Sequence, residues 1–228
     1  MTSVTIGMVL YPQFTQLDLT GPFEVFGRIP GAKVVALAAT PAPVTSDTGL
    51  RVVPDLTFAE SPPLEVLCVP GGPGVNQLLE DAEFLGFLRS QGGKARYVTS
   101  VCSGSLLLGA AGLLQGYRAA SHWMSMEFLA LFGAIPTEAR VVVDRNRITG
   151  GGVTAGVDFG LVLAAELAGE DVAKRIQLML EYDPAPPFDS GSPRRADPAV
   201  VAAVRDQGAG YLGQRRAIAA RAAARLGR

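Results

Sequence analysis

Short apolar, β-branched runs alternate with longer runs of helical spacing along this chain, and nothing else constrains its fold as strongly. Val4 to Leu10, Lys33 to Ala39, Val66 to Val69 and Tyr97 to Val101 read as strands. Thr15 to Gly27 sets Leu17, Phe23 and Phe26 at helical spacing. Phe84 to Gln91, Ser103 to Ala111, Trp123 to Phe132, Val153 to Leu167 and Val172 to Leu180 also read as helical. Thr45 to Pro54 reads as a hairpin or edge strands, and Val141 to Thr149 as a hairpin around Asp144-Arg145-Asn146. The strands are apolar throughout rather than alternating, as in a parallel sheet covered on both faces. The prediction is a single α/β domain with a mostly parallel sheet and helices on both faces.

Composition narrows the function classes. A chain of 228 residues fits one large domain. Its net charge of -1 argues against a nucleic-acid binder held by charge. Mean hydropathy is +0.27, yet no run approaches the roughly 18 apolar residues of a spanning helix. The surplus points to a buried sheet, an interface with a second copy, or both. One histidine and two cysteines offer no metal site by spacing, and two cysteines in apolar runs suit a reducing, cytoplasmic setting. The N-terminus reads as a first strand rather than a leader.

Residues 1–182 are expected to form the α/β domain. Residues 183–228 form a proline-stiffened arm (Pro184, Pro186, Pro187, Pro193, Pro198) and a helical extension, packed on the same domain or on a dimer partner. The arginines of the extension, among them Arg205, Arg215, Arg216, Arg221 and Arg225, are expected on a solvated face.

Three segments carry chemistry. Thr99-Ser100-Val101-Cys102-Ser103-Gly104-Ser105 ends a buried strand in a cysteine and small residues, then opens a helix. That is the logic of a nucleophile elbow, for which φ > 0 is expected at Cys102. A helix N-terminus would lower the thiol pKa. Cys68, inside Val66 to Val69, reads as core. Val69-Pro70-Gly71-Gly72-Pro73-Gly74 puts a glycine turn at a strand's carboxyl end, where backbone N–H groups can face an anion. It lacks the spacing of a nucleotide-phosphate loop. Asp18 stands between Leu17 and Leu19, as a first-turn cap or as an acid in an apolar frame.

Together LDLTGPFEVF, VPGGPG, TSVCSGSLLLGAAGLLQGYRAASHW and TGGGVTAGVDFGL resemble the ThiJ/PfpI superfamily, of class I glutamine-amidotransferase-like fold, over residues 3–182. Two branches share the DLTGP element and the run ending in Ser121-His122-Trp123. They are the isocyanide hydratases and the ligand-binding half of AraC-type regulators. The arm EYDPAPPFDSGSP resembles that of the hydratases.

The resemblance implies Cys102 as nucleophile, Asp18 as its acid/base partner, and the N–H groups of Gly72 and Ser103 as an anion-stabilising pocket. Ser103 stands where the hydratases more often have threonine. His122 is a further candidate, while Glu24 and Asp158 read as structural or interface groups. The implied reaction turns an isocyanide and water into an N-substituted formamide through a cysteine thioimidate, with no cofactor and no metal, in a homodimer. A non-catalytic or redox-sensing protein with a reactive cysteine is the alternative, and a cysteine hydrolase would pair Cys102 with His122.

Overall fold

The computed structural model describes residues 4–227. In chain order the elements are β1 (Val4–Val9), α1 (Gln16–Phe26), β2 (Ala32–Ala38), β3 (Val44–Thr45), β4 (Arg51–Val52), β5 (Leu56–Thr57) and β6 (Val66–Val69). Then come α2 (Val75–Leu78), α3 (Ala82–Gly92), β7 (Tyr97–Val101), α4 (Gly104–Ala110), β8 (Arg118–Ala119), a 3₁₀ helix (Met126–Phe132) and β9 (Ile135–Pro136). The chain closes with β10 (Val141–Asp144), β11 (Arg147–Gly150), α5 (Ala155–Ala168), α6 (Glu170–Met179) and α7 (Pro198–Ala224).

Seven strands form the central sheet in the order β10-β11-β7-β6-β1-β2-β5. Every pairing is parallel except that of β10 with β11, the hairpin read around Asp144-Arg145-Asn146. β3 and β4 make the small hairpin expected over Thr45 to Pro54. The central strands are buried over most of their length, and Val66 to Val69 without a break, because helices cover both faces. α1, α5 and α6 pack together in one layer, and α2, α3, α4 and the 3₁₀ helix in the other. The helix expected over Trp123 to Phe132 is a shorter 3₁₀ segment ended by Gly133 at φ 70°.

α7 is not a solvated helix along its whole length. It packs on α2, α4 and the 3₁₀ helix. Arg216 pairs with Glu127, and Arg221 and Arg225 with Glu80, on the exposed side. Arg215 points inward and is buried, which corrects the expectation of a solvated arginine face. Ala219, Ala222 and Ala223 share that buried stripe and let the helix lie close to the body.

From β1 the chain winds outward to β2 on one side and through β6, β7 and β11 on the other. The crevice at the carboxyl ends of β1 and β6 is therefore the topological switch point, where open α/β sheets bind ligands. The loops after β1, β6 and β7 all open into it.

Candidate active site

Cys102 directly follows β7 and has φ 55°. A left-handed backbone is uncommon for a residue with a Cβ, and here it is held from three sides. The Cys102 N–H donates to the Gly150 carbonyl at 3.1 Å. Its own carbonyl accepts the Ser105 hydroxyl at 3.2 Å and the Ser121 hydroxyl at 3.1 Å. The turn also needs backbone contact that a side chain would block. A Cβ on Gly104 would sit 2.2 Å from the Val69 carbonyl oxygen, so α4 starts directly against the end of β6.

Asp18 lies in the first turn of α1 and is fully buried. It does not cap its own helix. Oδ2 accepts the Gly71 N–H across the sheet at 2.8 Å, and Oδ1 is buried with no hydrogen-bond partner among the described residues. Tyr11 braces the same turn, donating its hydroxyl to the Pro70 carbonyl at 2.6 Å. Burial pushes the Asp18 carboxyl up to about 7, against opposing pulls from the Gly71 N–H and the neighbouring Cys102 thiol. A carboxyl at that value is part protonated at neutral pH.

Burial also pushes the Cys102 thiol well above its ordinary value, and the Asp18 charge adds to the rise. The Ser103 N–H, the Arg215 charge and the Ser103 hydroxyl pull the other way without overcoming it. This corrects the expectation that the helix terminus lowers the thiol pKa. α4 is only seven residues long, and desolvation of the sulfur outweighs it.

The Gly72 N–H, expected to face an anion, donates instead to Ser103 Oγ at 3.1 Å. Gly72 has φ 137°, and a Cβ there would sit 2.5 Å from the Gln13 carbonyl oxygen. The Ser103 hydroxyl thus ties the turn after β6 to the turn after β7. Gly71 is the glycine that meets Asp18. A Cβ on it would lie 2.6 Å from Ser103 N and 2.9 Å from Asp18 Oδ2.

Cys102 opens on a cavity of about 230 Å³ lined by Thr15, Gly72, Pro73, Ser103, His122, Met124, Ser125, Val153, Tyr211, Leu212 and Arg215. His122 therefore faces the same space as the thiol. Its Nδ1 accepts the Met124 N–H at 3.4 Å, and burial with the nearby Arg215 charge lowers its pKa. His122 and Val153 also line an adjoining cleft of about 540 Å³ with Trp123, Met126, Arg140 and the arm residues Pro186 and Pro193. Glu24 pairs with Arg28 one helical turn on, and Asp158 with Arg140 at 2.7 Å and Tyr182 at 2.9 Å. Both stand away from Cys102 as structural ion pairs. Tyr11, Gly71, Ser121 and Arg215 join the site without having been singled out in the sequence. Gly71 and Ser121 lay inside quoted motifs, but Tyr11 and Arg215 carried no local signal for this place.

The DJ-1/PfpI family model matches residues 4–166. The chain is 55% identical to the isonitrile hydratase of Pseudomonas putida, across 98% of both chains. It is 29% identical over 78% of its length to the HTH-type transcriptional regulator GbdR of Pseudomonas aeruginosa, and matches 51% of that protein. A crystal structure of a ThiJ/PfpI family protein from Pseudomonas syringae superposes with a TM-score of 0.94 at 52% identity, covering 96% of this chain and 91% of that one. With cysteine elbow, buried aspartate and doubly covered parallel sheet in place, the chain belongs to the DJ-1/PfpI family.

Proposed function

We propose that this protein is an isocyanide hydratase that adds water to an isocyanide and releases an N-substituted formamide. One observation carries the proposal: a buried carboxyl poised near 7, with one oxygen unpartnered, stands beside the left-handed Cys102 at the mouth of a small cavity. An isocyanide has an electrophilic terminal carbon and no leaving group, so its hydration needs a nucleophile and a proton shuttle. Near-complete alignment with a protein named isonitrile hydratase supports the same reading.

Ionised Asp18 takes the thiol proton through Oδ1 as Cys102 Sγ adds to the isocyanide carbon. The protonated carboxyl then delivers that proton to the carbon, leaving the thioimidate Cys–S–CH=N–R. Asp18, ionised again, takes a proton from water as the hydroxyl adds to the same carbon, and passes that proton to the nitrogen to give Cys–S–CH(OH)–NH–R. Asp18 takes the hydroxyl proton as this tetrahedral adduct collapses and expels sulfur, then returns that proton to the sulfur, and HC(=O)–NH–R departs. One carboxyl alternates as base and acid, which suits a pKa near the operating pH. The Ser103 N–H faces the sulfur and steadies its developing charge. The Gly72 N–H joins it only if the Ser103 hydroxyl rotates away.

The cysteine-hydrolase alternative asks His122 to act as the base, but its lowered pKa and its Met124 contact give it no hold on the thiol. No organic cofactor or metal enters any step. A homodimer in the cytoplasm completes the proposal, with light scattering the check on assembly. The decisive test is formamide release from a panel of alkyl and aryl isocyanides. Release by the wild type that Cys102→Ala abolishes upholds the reading, whereas no release with any isocyanide removes it.

A further inference from the structure

Every group in the mechanism above comes from the first 153 residues, yet one buried charge in the site does not. Arg215 lies on α7 at 3% exposure, outside residues 4–166 that define the family match. Its guanidinium has no carboxylate partner among the described residues. It donates to Asn76 Oδ1 at 2.7 Å, to Ser125 Oγ at 2.7 Å, to the Gly72 carbonyl at 3.2 Å and to the Tyr211 hydroxyl. Of the exposed arginines of the same helix, Arg216 has Glu127 and Arg221 has Glu80, which Arg225 at the C-cap shares, while Arg205 lies in solvent over the Trp123 ring. Taking a cation out of water with no anion beside it is unfavourable, so a buried, wholly neutral ligand set is an arrangement that needs a reason. Arg215 lines the Cys102 cavity, and the negative charge it can meet there is the thiolate.

We propose that Arg215 is a positioning residue of the active site, its fixed charge the counter-ion of the Cys102 thiolate and its fork on Gly72, Ser125 and Asn76 the clamp that sets the turn whose Gly71 N–H holds Asp18. The inference rests on the nucleophile reading of Cys102. When the proton passes from Sγ to Asp18 Oδ1, one negative charge moves from carboxylate to sulfur and the total does not change. Arg215 stays charged throughout and favours the sulfur end of that transfer. The clamp acts through a short chain of contacts. Arg215 holds the Gly72 carbonyl, the Gly72 N–H is held by Ser103, and the adjacent Gly71 N–H holds Asp18.

The ionisable groups around this charge are few. Cys102 and Tyr11 act on Arg215 directly. Asp18 acts on Cys102, and Asp47 on Asp18 and Tyr11. His122 is neutral at neutral pH because its pKa is lowered. Glu80 beyond α2 and Glu127 of the 3₁₀ helix, both on elements packed against α7, are engaged by the exposed arginines.

The test is the pH dependence of Cys102 alkylation by iodoacetamide, followed by peptide mass spectrometry, because the thiolate is the species that reacts. Arg215→Gln should move the midpoint upward and slow alkylation at pH 7 by about tenfold, equivalent to one pKa unit. Asp18→Asn should move the midpoint the other way, since it removes the charge that opposes the thiolate. A folded Arg215→Gln protein with an unmoved midpoint overturns the proposal, even if hydration falls. Should Arg215→Gln fail to fold, Arg215→Lys decides. A midpoint kept within a few tenths of wild type upholds the charge role, and a full-unit rise despite the retained charge overturns it. The readout needs no isocyanide. If wild-type protein releases no formamide while Arg215→Gln shifts alkylation, the hydratase reading fails and the role of Arg215 stands.

Discussion

The two cysteines of this protein sit two strands' ends apart in physical character, although both are buried and both are free. Cys68 lies inside β6, fully buried, with ladder partners on either side at Met8 and Thr99. Burial pushes its thiol up to about 12. Cys102 is 7% exposed and its thiol is raised as well. Burial and titration therefore do not separate the two. What separates them is position relative to the sheet. One sulfur is enclosed by regular β geometry, and the other stands one residue past a strand end, where the chain turns left-handed beside the buried Asp18 carboxyl and opens on a cavity. On the proposed reading, the nucleophile is made by the backbone and by its neighbour more than by its resting pKa.

The largest effects should break that comparison outright. Cys102→Ala is expected to abolish formamide release, and Cys102→Ser to do nearly the same, because Asp18 at about 7 cannot bring an alcohol near ionisation. Cys68→Ala should keep turnover near wild type and show its cost in melting temperature, by about 1–2 kcal/mol for a lost sulfur in a packed strand. Comparable losses of turnover in both variants would mean that the elbow is not special.

Asp18→Asn comes next, with kcat lowered by roughly 10²–10⁴, the range of positioned acid–base groups. It should also move stability in the opposite sense. The folded carboxyl titrates at about 7 against an unfolded value near 3.8, so the stability its protonated form provides is present below pH 3.8 and is lost as pH rises through 7. The asparagine variant should therefore match wild type at pH 4 and exceed it at pH 8, by on the order of 2–4 kcal/mol. Thermal melts at the two pH values check this. Equal melting temperatures at pH 8 would show that burial does not strain this carboxyl.

Gly71→Ala probes the join between the two regions. Its Cβ would press between Ser103 N and Asp18 Oδ2, where a displacement near 1 Å can cost roughly 10²-fold in rate. The fall should appear in kcat with the thiol still open to alkylation. An unchanged kcat would show that the turn after β6 can yield without disturbing the acid.

How much of this was legible in the sequence follows from how far apart the interacting residues lie. The strands were legible because a doubly covered parallel sheet needs apolar runs such as Val66 to Val69, and the elbow because strand, cysteine and small residues follow one another within seven positions. The pairing of Asp18 with Cys102 came through family resemblance, since eighty-odd residues separate them and no local pattern joins them. That Gly71 is the glycine whose N–H meets Asp18 is a matter of one residue in a run of glycines, and only the fold decides which N–H faces the carboxylate. The thiol pKa was misjudged because a seven-residue helix is visible in sequence and the desolvation opposing it is not. Arg215 was illegible for a related reason. On α7 it stands beside Arg216, and only the packing of that helix decides which of two adjacent arginines turns inward.

The smallest expected effect concerns His122. It lines the cavity with Cys102 and also borders the larger cleft, so position alone would admit it to the chemistry. Its electrostatics do not. Burial and the Arg215 charge favour the neutral ring, and its hydrogen bond to Met124 is a long 3.4 Å contact within its own loop. A neutral imidazole with no grip on the thiol can shape the cavity and can accept or donate one hydrogen bond to a substrate. His122→Gln keeps that capacity and should change kcat/KM by less than about tenfold, the size of one neutral hydrogen bond. Any change should fall on KM more than on kcat, and the pH–rate profile should stay governed by Asp18 and Cys102. If His122→Gln instead cost as much as Asp18→Asn and removed a limb of that profile, the acid–base work would belong to a Cys–His pair. The contrast between Cys102 and Cys68 would then rest on a histidine twenty residues downstream of the elbow, and not on the carboxyl across the sheet.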